Sequence, residues 1–281
     1  MIETRWKKYY DLPEIVRIRE NIVNSYSNKL KFIEETHQYF LDGVEYDCVS
    51  HVTHKYNPFD QEKVANETYL RAKNNPNSKY YGKTVKQIIK EWEDHSADAC
   101  EKGTNVHAFG ESMFYYLTGT GEILDECKDA FKDGVPSPRN KKEEAVLKFW
   151  NDLPENMIPV LAETKVFNKI GTPYAGTFDI LFYYLDTKCP EKSGLVIFDY
   201  KTNADLYKNF NLQTMLAPFD DYLDQPIGYY RLQLALYQIP IEYLGYKVVG
   251  RRLIWLKEDG EYDKVKIPDL TDRLRRELKI S

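Results

Sequence analysis

The chain is poor in cysteine: 281 residues carry four, at Cys48, Cys100, Cys127 and Cys189, with no Cys-x-x-Cys pair among them. That spacing excludes a zinc ribbon or knuckle. It also makes a disulfide framework unexpected at this size and points to reduced thiols in a cytosol-like compartment. Long apolar runs are missing too; none approaches the roughly 20 residues a membrane span needs. The opening MIETRWKKYYDLPE has no apolar core of the secretory kind. A soluble cytoplasmic protein with no membrane partner is therefore expected. A basic surplus is absent as well: 39 Lys and Arg face 44 Asp and Glu, a net charge of -5. Capture of nucleic acid by overall charge calls for a basic protein, so such binding would have to use a local groove around a carboxylate-rich metal site. There is no internal repeat and no low-complexity tract.

What is present is aromatic and apolar. Phe, Trp and Tyr make up 14% of the chain, Tyr alone occurs 23 times, and the 42% hydrophobic content suffices for one sizeable core with an appended part. Ile15, Ile18, Ile22 and Val23 predict a helix over 14–30. The stretch 31–53 reads as two short strands about the turn Asp42-Gly43, ended by Asn57-Pro58. A long helix is expected over 84–118, with Gly103 interrupting or restarting it. An irregular, charged excursion follows at 119–140, then a helix at 141–152. Three strands come next, at 158–168, 175–185 and 194–201. A helix from Pro226 to Gly245, kinked or shortened at Pro240, leads to a strand at 248–256 and a short basic helix at 271–279. An antiparallel meander followed by a helical crossover gives an α/β fold with a mixed sheet.

The chemistry concentrates on two apolar strands. Alternation in 177-TFDILFYYL-185 puts Asp179 on one face with Thr177, Leu181 and Tyr183, and in 195-LVIFDYK-201 it puts Asp199 and Lys201 on one face. Charges on central, doubly covered strands are costly unless paired or bound to metal. Taken alone, Asp199 and Lys201 read as a buried ion pair. With Asp179 one strand upstream they make a compact site. There two carboxylates could hold a divalent cation and the ammonium could position a water or offset phosphate charge.

The ordered set FDI…FDYKTN resembles the core of the PD-(D/E)XK nuclease superfamily, and more closely its RecB-type and lambda-exonuclease-like branch. In 102-KGTNVHAFGE-111, His107 matches a histidine that joins the metal shell in that branch. Glu111, four residues on, could support the shell or face solvent. Glu163 in 161-LAETKVF-167 stands where relatives often carry an acid, which would help hold metal or bind Lys201. In 231-RLQLALYQ-238, Gln233 and Tyr237 match a Gln-x-x-x-Tyr motif. THQYFLDGVEYDCVSHVT resembles a segment of phage-type nucleases and of mitochondrial genome-maintenance exonuclease-like proteins, although Ser50-His51-Val52-Thr53 replaces the usual Ser-Val-Thr. The residue before Asp179 is Phe rather than Pro.

The resemblance covers roughly 31–257. It implies a restriction-endonuclease-like α/β core over 84–281, with a mixed central sheet flanked by helices, after an N-terminal helical and β-hairpin extension over 1–83. It implies a metal-dependent DNA exonuclease acting on linear DNA with ends, with recombination or replication proteins as further partners and, if phage-encoded, a host-cytoplasm location. The alternatives are an endonuclease on the same fold, a catalytically silent DNA-binding module, or, least favoured, a scaffold protein that binds a partner through 119–140. His107, Asp179 and Asp199 would hold metal, and Lys201 and Glu163 would join Asp179 and Asp199 in catalysis. Gln233 and Tyr237 would hold DNA, the tyrosine by stacking on a base or sugar. Mg2+ suits the oxygen ligands and the imidazole tilts the preference to Mn2+. With no cysteine after Cys189, no iron–sulfur cluster is expected.

Overall fold

A computed structural model describes residues 5–209 and 212–280. The elements in chain order are α1 (Lys7–Tyr10), α2 (Pro13–Ser25), β1 (Leu30–Ile33), β2 (Gln38–Leu41), β3 (Val44–Cys48), α3 (Val49–His54), α4 (Gln61–Ala72), α5 (Val85–Thr118), α6 (Lys141–Asp152), β4 (Met157–Asn168), β5 (Tyr174–Tyr184), β6 (Gly194–Lys201), α7 (Pro226–Tyr243), β7 (Val248–Leu256), β8 (Tyr262–Lys266) and α8 (Thr271–Glu277). The fold is α/β, with an eight-stranded mixed sheet flanked by helices. β4, β5 and β6 form the expected antiparallel meander, and α7 carries the chain across to β7, parallel to β6. The N-terminal extension joins this sheet, because β3 pairs in parallel with the start of β5. One continuous core runs from Trp6 to Ile280.

Several expectations need correction. The Asp42-Gly43 turn is there, with both residues at positive φ (52° and 80°). Its strands, however, are β2 and β3, with β1 as a third, and 49–54 turns helical instead of continuing a strand. Val49 and Val52, three apart, are buried under α7, so packing overrides the β preference of that stretch. α5 runs unbroken through Gly103. A capping box of Thr84 and Gln87 starts it and Gly119, left-handed at φ 72°, ends it. Within it, residues 93–102, 104 and 105 are exposed, and the i,i+4 pairs Lys90–Asp94 and Asp98–Lys102 line that stretch. Before it, α4 packs on the first turns of α5.

α7 also continues through Pro240. A proline there leaves the carbonyl four residues earlier without its helical donor. That carbonyl, of Leu236, accepts a hydrogen bond from the buried Tyr174 hydroxyl at 2.9 Å, which is why the helix persists. α4 and β8 have no counterpart in the sequence reading, and the excursion at 119–140 contains a 3-10 helix, Asp125–Gly134.

Candidate metal and phosphate site

The site lies where the sheet opens. β4 pairs with β5 along its length, so β3 and β6 must share the other edge of β5. β3 takes Tyr174 and Ala175, while β6 takes Ile180 to Tyr184. Residues 176–179 face the gap between them. Across it, Asp179 Oδ2 accepts the Tyr200 backbone N–H at 2.6 Å, a carboxylate standing in for the missing ladder bond. On the other edge the β4–β5 register skips Glu163 and Asp179, and Glu163 has a left-handed φ of 40°. A non-glycine residue held there stores strain of about 1–3 kcal/mol, and such strain collects at functional sites.

This irregularity overturns the expected alternation. On β6, Tyr200 packs on Phe149 of α6 and His107 of α5, while its neighbour Lys201 lies against Tyr230 of α7. Thus α5 and α6 cover one face and α7 the other. On β5, Phe178 meets Tyr237 of α7, yet Phe182, of the same parity, meets Phe149 and Trp150 of α6. The facing of β5 slips between them. Asp179 therefore does not share one uninterrupted face with Leu181 and Tyr183.

The slip sorts the charged groups into two clusters. His107 Nδ1 lies 3.3 Å from Asp179 Oδ2 and 3.8 Å from Glu163 Oε1. Ligand atoms of these three residues all lie within 4.8 Å of one another, close enough to hold one metal ion. The donor set of two carboxylates and one imidazole fits Mn2+ or Mg2+. Glu163, expected in catalysis and as an acid that could help hold metal, sits in the trio, whereas Asp199, expected as a ligand, does not. Asp199 belongs to the second cluster. Its side chain is 1% exposed, and its Oδ2 lies 2.5 Å from Lys201 Nζ as an ion pair, out of line for a hydrogen bond. Asp199 Oδ1 is buried and has no hydrogen-bond partner among the described residues.

Burial and mutual charge set the protonation of these groups. Burial alone would keep His107 neutral, but Asp179 and Glu163 outweigh it and raise the imidazole to about 10. Burial, with repulsion from Asp179, pushes Glu163 up to about 7 and Asp199 up to about 6. Asp179 is held below the carboxylate range: burial opposes its charge, but His107, Lys201 and the Tyr200 N–H prevail. Lys201 is likewise opposed by burial and raised by Asp199.

Glycine shapes the walls. A Cβ at Gly110 would stand 2.5 Å from Tyr200 Cε2, so only glycine lets α5 carry His107 this close to β6. At Gly176 a Cβ would meet Val49 Cγ2 at 2.8 Å and Tyr237 Cε1 at 2.9 Å.

Of the expected DNA contacts, Gln233 is half-buried and its Nε2 donates to the Tyr237 hydroxyl at 3.0 Å. The Tyr237 ring, 4% exposed, is core, which removes it as a platform for a base. Glu111 is half-buried, accepts the Tyr115 hydroxyl at 2.7 Å, and is raised by burial; it stands outside the trio. Sequence reasoning missed Tyr39, whose hydroxyl lies 3.0 Å from Thr177 Oγ1 beside the gap, and Tyr230, which covers Lys201. Among the described residues no helix is long and apolar enough to cross a membrane. No protein-family model and no curated protein matches the chain.

Proposed function

We propose that the protein is a divalent-metal-dependent deoxyribonuclease, acting as an exonuclease on linear DNA in replication, recombination or repair. The observation that carries the reading is the convergence, at one opening in the sheet, of the metal-capable trio His107, Glu163 and Asp179 with the Asp199–Lys201 pair. A structural ion pair would need neither the trio nor a strained Glu163 beside it.

His107, Glu163 and Asp179 would hold Mg2+ or Mn2+. When bound, such an ion supplies positive charge to a phosphoryl oxygen and acidifies a water. Asp179 has a second task, since it fixes the Tyr200 N–H and with it the course of β6. Lys201, 12% exposed and set against Asp199, offers a fixed ammonium to the phosphate. Gln233, at the half-buried end of its bond to Tyr237, can turn its amide to a phosphate oxygen. The four cysteines are free, and the reading includes a cytoplasmic location without an iron–sulfur cluster.

The test is digestion of end-labelled linear single- and double-stranded DNA, beside closed circles, with Mg2+, Mn2+ or EDTA, using wild type and Lys201→Ala. Metal-dependent loss of linear DNA alone, abolished in the variant, is the expected result. Nicking of circles would make the protein an endonuclease. DNA binding without cleavage under every condition would leave a silent binding module and end the nuclease reading.

A further inference from the structure

The turn that follows Lys201 is tied from three sides. Lys142 Nζ donates to the Thr202 carbonyl at 2.5 Å, Trp255 Nε1 donates to the Asn203 carbonyl at 2.7 Å, and the Tyr230 hydroxyl donates to Asn203 Oδ1 at 2.8 Å. The third of these groups also lies against the lysine's ammonium. The Lys201 ammonium stands 4.3 Å from the centroid of the Tyr230 ring. A cation over an aromatic face within about 6 Å is attracted by the ring quadrupole, more strongly as water is excluded. Here the lysine is 12% exposed and Tyr230 is half-buried.

We propose that Tyr230 is the positioning residue for Lys201. Asp199 and the Tyr230 ring confine the ammonium between them, while the Tyr230 hydroxyl holds the 202–203 turn that ends β6. A lysine side chain has much rotamer freedom to lose. Confinement beforehand spares that ordering on the way to the transition state, where the ammonium offsets phosphate charge. It also leaves Lys201 largely out of solvent. Tyr230 is one turn before Gln233 on α7, so the same helix sets both the lysine's lid and the amide beside it. The inference rests on the nuclease reading for its catalytic consequence but not for the contact itself, and two readouts separate them.

The first readout needs no DNA. Urea unfolding in EDTA is measured for wild type, Tyr230→Leu, Lys201→Met, the double variant, and Tyr230→Phe with and without Lys201→Met. A cation over a ring predicts that the Leu and Met substitutions are coupled by roughly 2- to 30-fold in the unfolding equilibrium. In a Tyr230→Phe background the Met substitution should cost as much as it does in wild type. Independent effects at the two positions would overturn the proposal whatever the protein does to DNA.

The second readout is steady-state digestion with Mn2+. Tyr230→Leu should lower kcat and leave KM nearly unchanged, and Tyr230→Phe should recover most of the loss. A rise in KM alone would make Tyr230 a DNA contact and overturn the positioning role. A wild type that cleaves nothing would end the nuclease reading, while the unfolding cycle would still decide whether the ring holds the lysine.

Discussion

Two glycines in α5 should respond oppositely to alanine. At Gly110 the added Cβ would sit 2.5 Å from Tyr200 Cε2, 3.1 Å from Cζ and 3.2 Å from the hydroxyl oxygen. Carbon contacts are best at about 3.5–4.0 Å, so ring or helix must give by about 1 Å. The ring is boxed in by Phe149 and His107, at 5.9 and 5.8 Å between centroids. Overpacking of this kind costs about 1–3 kcal/mol, against about 1 kcal/mol gained from replacing a helical glycine. Gly110→Ala should therefore be destabilised by about 0–2 kcal/mol. Because Tyr200 lies between Asp199 and Lys201 and donates its N–H to Asp179, the displacement reaches the site. A misplacement of about 1 Å can cost about 100-fold in rate. At Gly103 the same Cβ would meet only Thr202 Oγ1 at 3.4 Å, so Gly103→Ala should gain up to about 1 kcal/mol and keep activity. Urea melts in EDTA, paired with Mn2+-dependent digestion, measure both. Equal stability of the two variants, or full activity in Gly110→Ala, would refute the close-approach argument.

Tyr174→Phe should cost about 1–3 kcal/mol by orphaning the Leu236 carbonyl. The penalty should shrink when Pro240→Ala restores an N–H for that carbonyl, and a urea double-mutant cycle would show the coupling. Asp179→Asn keeps an acceptor for the Tyr200 N–H and should fold. Mn2+ at about 100 times its Kd should stabilise wild type by about 2.7 kcal/mol and this variant by far less, which a melting series reads directly. Asp269 accepts bonds from Thr271, Gln238 and Arg251. Burial opposes its charge, but these donors win and hold the carboxyl below its usual range. A depressed carboxylate lends stability above its unfolded pKa of about 3.9 and loses it as pH falls through the lower folded value. Asp269→Asn should flatten the fall of stability below about pH 4, and an unchanged acid slope would count against the network.

The site was legible in the sequence because its residues sit in strongly patterned elements. Asp199 and Lys201 are two apart on an apolar strand, and His107 is in a long helix closed by clear caps. The facing of Asp179 slips opposite Glu163, whose left-handed backbone has no local signal in the sequence. Tyr237 looked like a stacking ring because periodicity cannot tell a residue facing a gap from one closing it. α4 escaped notice because the residues it buries, Ala65 and Ala72, are too small to mark a stripe. β8, with the sequence YDKVK, carries charges at three of its five positions, Asp263, Lys264 and Lys266, as befits an edge strand. Tyr230 could have been found by extending the Gln233 stripe one turn back, since it lies three residues earlier on the same helix.

The bare stretch of α5 makes the placement of α4 a matter of phase. A helix advances about 1.5 Å and turns about 100° per residue, so the segment between Glu93 and Asn105 works like a threaded shaft between α4's packing partner and His107. Deleting one residue there would swing everything N-terminal to it by about 100° while barely changing its reach. An insertion of seven, two turns to within about 20°, would return the original azimuth farther out. The residues between α3 and α4 form a second strap to the body, so an out-of-phase change must be absorbed by that strap or by unwinding the shaft. In this stretch, register is set by the number of residues and not by which ones they are.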